Sequence, residues 1–212
     1  MVYYFKSNLT TPSAQIYMGK DKLENEELIK YGLENDVWFH VDNLSSAHVY
    51  LRLTEGDDWD SIPQDILTDC SQLTKANSIE GNKKDNITVI YTPWMNLKKD
   101  GSMVAGQVGF KDPRKVKKIL IPQRENAIIN RLNKTKIEKF PDLQLEKENV
   151  LKSLRLKEQA ARQEKKKLEA RIAQKHKEMK WQKEHAYDDL FKDMDRDGAD
   201  NQNNENCEDD FW

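Results

Sequence analysis

No stretch of this chain approaches the roughly twenty consecutive apolar residues that a membrane-spanning helix needs. Its first residues, Met1-Val2-Tyr3-Tyr4-Phe5-Lys6-Ser7, are too short in apolar character for a secretory leader. Cysteine is scarce, with only Cys70 and Cys207 in 212 residues. Two cysteines so far apart build neither a disulfide framework nor a CxxC metal pair, and a reducing compartment is the natural reading. The expectation is a protein of the cytoplasm, or also of the nucleus, without a membrane span. The signatures of nucleotide hydrolysis and zinc proteolysis, GxxxxGK[ST] and HExxH, are absent, and no nucleophile elbow is present.

What the chain has in quantity is charge, 34% against 37% hydrophobic residues, and the near-neutral total of −2 conceals regional blocks. Residues 1–97 hold 8 basic and 15 acidic residues; residues 98–136 hold 11 basic and 3 acidic. Residues 142–187 hold 13 basic and 8 acidic, and residues 188–212 hold 2 basic and 10 acidic. A basic middle with an acidic end suggests a polyanion-binding region and a solvated tail.

Residues 2–5, 15–18, 37–41, 48–53, 87–91, 104–110 and 116–121 read as strands. Residues 23–31 read as a helix stopping at Gly32, a good residue just past a helix end. Pro63 opens a second helix reaching about Ala76, with Ile66, Leu67, Cys70 and Leu73 at helical spacing. The expected fold is α+β. A mixed-sheet domain over 1–121 precedes a basic helix over 122–140. A long charged helix or weak coiled coil follows over 141–190, then a disordered acidic tail over 191–212. Residues 143–190 contain neither Gly nor Pro. Leu154, Ala161 and Leu168 recur every seven residues, but the next step is Lys175, and the complementary series Val150, Lys157, Glu164 is mostly charged. A strong coiled coil needs a sustained apolar seam, so a single or weakly paired helix is the favoured reading.

The chemistry-bearing residues cluster in Asp36-Val37-Trp38-Phe39-His40-Val41-Asp42 and in His48-Val49-Tyr50-Leu51-Arg52. With period two, Trp38, His40 and Asp42 share one strand face, and Val37, Phe39 and Val41 the other. A His/Asp acid–base or metal site on the first face is the enzymatic reading. Without a spaced catalytic signature, structural or binding use is favoured, and neither catalysis nor a cofactor is expected. Tyr91-Thr92-Pro93-Trp94 leads into Lys98-Lys99, an aromatic followed by cations, which suits stacking on unpaired bases with phosphate neutralisation. Lys111, Arg114, Lys115, Lys117 and Lys118 continue the run, and at alternating strand positions they would line one face. Gly19-Lys20-Asp21-Lys22 precedes a helix whose amides could receive an anion. Asp193-Met194-Asp195-Arg196-Asp197-Gly198 imitates the start of a calcium loop but has Asn204 where a Glu is needed. Glu208-Asp209-Asp210-Phe211-Trp212 could dock on a basic partner.

Taken in order, Gly19-Lys20, Asn25, Asp36-Val37-Trp38-Phe39-His40, His48-Val49, Lys75-Ala76, Tyr91-Thr92, Lys98-Lys99 and Gly106-Gln107-Val108 resemble the NFACT-R domain. That domain forms part of ribosome quality-control factors that direct C-terminal tailing of stalled chains. The resemblance covers about residues 1–120 and implies a non-catalytic, RNA-associated module linked to tRNA or the ribosome. The tailing activity is not carried over, because the partner domains of those factors have no counterpart in these residues. The family often has Pro-Gly-Ser-His where this chain has Ser45-Ser46-Ala47-His48. The expected nucleic-acid contacts are Lys20, Trp38, His40, His48, Arg52, Trp94, Lys98, Lys99, Lys111, Arg114, Lys115, Lys117 and Lys118. RNA is preferred on the resemblance alone; the basic residues would accept DNA equally, and the long helix could instead scaffold a protein partner.

Overall fold

The computed structural model describes residues 1–197, with side chains through 185. The chain divides into two units, Met1–Leu151 and Lys152–Trp212. The first contains β1 (Val2–Ser7), β2 (Ala14–Gly19), α1 (Lys22–Tyr31), β3 (Asp36–Val41), β4 (Val49–Arg52) and α2 (Gln64–Ala76). It continues through β5 (Ile87–Pro93), β6 (Leu97–Lys98), β7 (Gly109–Phe110), β8 (Lys117–Ile121), α3 (Asn126–Asn133) and β9 (Ile137–Lys139). The helix α4 (Leu143–Asp197) begins in this unit and makes up the described part of the second.

Seven strands form one sheet in the order β8-β5-β3-β4-β2-β1-β9, and β6 pairs with β7 apart from it. Every strand pairing is antiparallel, so the sheet is mixed in sequence order but not in strand direction. The period-two pattern decides which side chains go where. Phe5, Ile16, Val37, Phe39, Val49, Leu51 and Val89 point to one face. There they meet Ile66, Cys70 and Leu73 of α2 and Leu132 of α3. Each fully buried aliphatic side chain contributes roughly 1.5–3 kcal/mol, so this face carries most of the stability. Phe39, which stacks on Tyr91 at 5.4 Å, is central to it, and truncation to Ala would cost about 3–5 kcal/mol.

The opposite face carries Tyr17, Trp38, Tyr50 and Ile90 under Leu28 of α1 and Leu97 of β6, with Trp94, Val108, Phe110 and Leu143 around the rim. Tyr4, Tyr17 and Tyr50 stack in series at 5.8 and 5.0 Å. The second face is therefore also covered, but by rings with polar ends.

Four sequence expectations change. The basic helix over 122–140 is only α3, because Ile137, Glu138 and Lys139 leave the helix and pair with Tyr4, Tyr3 and Val2 at the sheet edge. The strand expected over 104–110 shrinks to β7, with Gly106 at φ 83° in a turn. Gly32 closes α1 with φ −54°, not in the left-handed region. Its missing side chain serves packing instead, since a Cβ there would stand 2.2 Å from Trp94 Nε1. Of the expected acidic tail, residues 191–197 belong to α4. The rest, with Gly198 of the calcium-like stretch and the Glu208–Trp212 motif, lies outside the described residues.

Candidate nucleic-acid interface

The β3 alternation puts Trp38 and His40 side by side on the second face, rings parallel to within 4° at 5.3 Å. Trp38 and His48 are each only 2% exposed. The Trp38 indole donates to His48 Nδ1 at 2.9 Å, which leaves the other ring nitrogen to bond the Gly106 backbone. Burial, with His40 alongside, pushes the His48 pKa down to about 3, so it stays neutral. His40 is half-buried; burial lowers its pKa while its bond to the Val41 carbonyl at 2.8 Å opposes that shift. Asp42 does not join the histidines. It pairs with Lys118 at 2.9 Å, and no group of three His, Cys, Asp or Glu among the described residues could hold a metal.

Several expected contacts are structural instead. Trp38 and His48 lie inside, beneath Phe110 and the turn at Gly106, where no base can reach them. Arg52 forks onto the fully buried Asp36 at 2.9 and 3.2 Å and lies over the Tyr17 ring. Burial works against its charge, yet Asp36 and Tyr17 outweigh burial and raise its pKa above the ordinary value. Trp94 donates to the Ile29 carbonyl at 2.8 Å, rests on Gly32 and is capped by the Lys147 ammonium 4.5 Å from its ring. The half-buried ring is thereby held in place by the protein's own groups. Lys99 spends its three donors on Glu26 at 2.7 Å and on the Val104 and Gln107 carbonyls. Glu26 also accepts from the Gly106 amide, so this lysine latches the 99–109 turn rather than facing phosphate. Neither does α1 offer an anion site at Lys20, because the Asp21 side chain already accepts from Leu23 and Glu24 amides at 2.8 and 3.2 Å.

The remaining cations are exposed. Lys20 is exposed just before α1, and Lys98 pairs loosely with Asp100 at 3.3 Å. Lys111, Arg114 and Lys115 precede β8, and Lys118 lies on it. Thr92 donates to the Lys115 carbonyl at 2.9 Å and Asn96 brackets Asp112 at 2.8 and 2.9 Å, which fixes this segment against β5. The cations do not line one face as the strand pattern suggested. Lys117 turns to the first face toward Asp60 and Trp59, while Lys118 turns to the second. Across that second face the register sets His40, Ile90 and Lys118 in one row, with Thr88 and Leu120 paired beside it. Leu120 is 59% exposed, so this end of the sheet is open. The groups reaching the surface here are Leu120, the half-buried His40 and Lys118, with the buried Ile90 between them and Arg114 and Lys115 at the head of the same strand. The Arg114 and Lys115 side chains have no partner among the described residues. Sequence reading missed Thr88 and Leu120, although the strict Lys118–Leu120 alternation was visible. It also missed Glu26, which nothing in the sequence marks as the partner of Lys99.

Comparison with known proteins gives the fold a lineage. The family model described as the NFACT protein RNA binding domain matches residues 1–112, so both edge strands of the sheet, β8 and β9, lie beyond the match. Coiled-coil domain-containing protein 25 of Mus musculus is 52% identical over 180 residues, covering 84% of this chain and 86% of that protein. Protein JLP2 of Saccharomyces cerevisiae is 46% identical over 149 residues, 68% of this chain and 72% of the relative. Among solved structures, the C-terminal part of the fibronectin/fibrinogen-binding protein from Streptococcus suis superposes with a TM-score of 0.50 at 21% identity. That match covers 63% of this chain and 48% of the other, and concerns the fold alone. The chain belongs to the NFACT-R family and carries its RNA-binding domain over residues 1–112.

Proposed function

We propose that the α+β unit is a non-enzymatic RNA-binding module whose contact surface is the open end of the second sheet face. Arg114, Lys115 and Lys118 take phosphates, Lys111 extends the charged margin, and an unpaired base lies over His40 and Leu120. The observation that carries this reading is the pair of exposed, unpartnered cations Arg114 and Lys115 heading the strand that holds Lys118 and Leu120. Cations held in place beside a partly apolar platform suit single-stranded or looped RNA, whose phosphates supply affinity and whose splayed bases stack. The family resemblance favours tRNA or ribosomal RNA as the target and the translation machinery as the setting, in the cytoplasm or also the nucleus.

Binding of a short single-stranded RNA to the full chain, measured across salt concentrations, tests the site. Arg114→Glu with Lys115→Glu lowers affinity on every sequence and flattens the log–log salt slope by roughly one to two. An unchanged slope would move the phosphate contacts away from β8. DNA of the same sequence as competitor separates RNA from DNA binding, and crosslinking in cells identifies the RNA species. A protein-scaffold role for α4 is the second reading, favoured by the apolar side chains that helix leaves exposed.

A further inference from the structure

Along α4, Leu151, Leu154, Leu168, Ile172 and Met179 are each between 36% and 56% exposed. Leu145, Val150, Leu156 and Trp181 are exposed on the helix as well, but the five named first fall into one pattern. The series Leu154, Ala161, Leu168, Lys175, Gln182 has its complement three residues earlier, in Leu151, Glu158, Lys165, Ile172, Met179. These two series are the d and a positions of one continuous seam. The charged series Val150, Lys157, Glu164 lies beside that seam, which is why the heptad looks broken when the two are combined. The seam opens on Leu151 and Leu154 and closes on Met179 and Gln182, with Glu158, Lys165 and Lys175 interrupting its apolar positions.

The charges select the occupant. A parallel second copy would stack Glu158 on Glu158, Lys165 on Lys165 and Lys175 on Lys175. Its flanks would set Lys157 against Arg162, Glu164 against Glu169 and Arg171 against His176, leaving only Glu178 with Lys183 opposite in sign. An antiparallel copy in one register removes every like-charge layer. Leu154 then meets Met179, Ala161 meets Ile172, Leu168 covers the stem of Lys165, Leu151 meets Gln182, and Glu158 meets Lys175. In the same register the flanking positions pair Lys157 with Glu178, Glu164 with Arg171 and Arg162 with Glu169. Sliding the copies by one heptad, so that Leu154 meets Ile172, brings Glu164 onto Glu164 and Arg162 onto Arg162. Flanking charges set orientation and partner choice in paired helices, and here core and flank agree on a single arrangement except where Arg155 meets His176. We infer that α4 pairs antiparallel with α4 of a second copy of this chain, in the register that sets Leu154 of one copy against Met179 of the other.

Disulfide trapping in the full chain reads the register directly. In a Cys207→Ser background, with Cys70 buried, Leu154→Cys and Met179→Cys proteins are prepared separately, mixed and oxidised. The mixture forms the mixed disulfide, and neither protein crosslinks to itself, because identical positions lie about 37 Å apart along the helix. Self-crosslinking of Leu154→Cys means a parallel pair and overturns the inference. A second measurement uses charge and leaves the apolar seam untouched. By sedimentation equilibrium, Glu158→Lys weakens self-association about tenfold, and adding Lys175→Glu in the same chain restores it. A wild-type chain that stays monomeric at high concentration, or a double reversal that fails to restore pairing, sinks the inference.

Discussion

The Trp38 indole nitrogen and His48 Nδ1 are joined by a 2.9 Å hydrogen bond across the β3–β4 pair. An indole can only donate, so Nδ1 must be the unprotonated nitrogen and His48 the neutral tautomer with its proton on Nε2. That proton is aimed at the Gly106 backbone, and Gly106 in turn donates its amide to Glu26, the partner of Lys99. Trp38, His48, Lys99 and Gly106, distant in sequence and all part of the family resemblance, are thus pieces of one latch. The latch holds the 99–109 turn over the second sheet face.

A pH dependence of stability follows. The His48 pKa falls from 6.5 in the unfolded chain to about 3 in the folded one, and His40 shifts in the same direction. The unfolded state therefore binds more protons than the folded state between these values. Stability is fully present above about pH 6.5 and is lost as pH falls toward 3, by up to about 1.4 kcal/mol per pH unit for His48, with His40 acting in the same direction. Denaturant melts at pH 7, 5.5 and 4.5 check this, and His48→Gln removes its share of the slope. An NMR titration in which His48 charges near pH 6.5 would contradict the buried tautomer.

How far the sequence could lead is visible in β3. Its alternation correctly separated Val37, Phe39 and Val41 from Trp38 and His40, because a buried face must be apolar at every second residue. The same alternation could not tell that the polar-ended face was itself covered. That cover comes from α1, just before β3 in the chain, and from the 99–109 turn and Leu143, which are remote in sequence. Aromatics and cations that read as binding groups were therefore turned inward, Trp94 onto Gly32 and Lys99 onto Glu26. The edge strand β9 was illegible for a different reason. Ile137, Glu138 and Lys139 are all exposed, so no burial pattern marks them. Helices α1 and α2 were legible almost to the residue because Gly32 marks the end of one and Pro63 the start of the other; Asp21, which caps α1, was passed over as loop.

Lys99→Ala separates latch from phosphate contact. Its ammonium has all three donors occupied inside the protein. The variant loosens the 99–109 turn, raising its amide exchange and protease sensitivity, while the salt slope of RNA binding stays as in the parent. A slope reduced by about one would return Lys99 to the list of phosphate ligands.

Arg52→Met tests the buried pair. Asp36 is fully buried and accepts from Arg52, Tyr17 and the Leu33 amide. Removing the guanidinium strands a carboxylate among the Tyr17 and Tyr50 rings, at a cost of about 3 kcal/mol. RNA affinity of the folded variant is unchanged. Asp36→Asn added to Arg52→Met recovers part of the stability, since a neutral amide is less costly to bury unpaired.

Trp94→Ala gives opposite results under the sequence expectation and the observed packing. As a stacking residue Trp94 would lose roughly 1–3 kcal/mol of binding and little stability. In the fold its indole bonds Ile29, fills the space over Gly32 and lies under Lys147, whose ammonium also reaches the Lys30 carbonyl at 3.2 Å. Truncation removes the ring against which the first turns of α4 rest. The predicted cost is therefore about 2–4 kcal/mol of unfolding free energy, with RNA affinity nearly unchanged below the melt. Lys147→Met, which keeps the apolar stem and discards the cation, should cost well under half as much. The order of the two variants matters more than either value. If Lys147→Met destabilised as strongly as Trp94→Ala, the cation rather than the ring would be fastening α4. If Trp94→Ala melted like the parent but bound RNA weakly, the indole would have to leave its seat between Gly32 and Lys147 to meet a base.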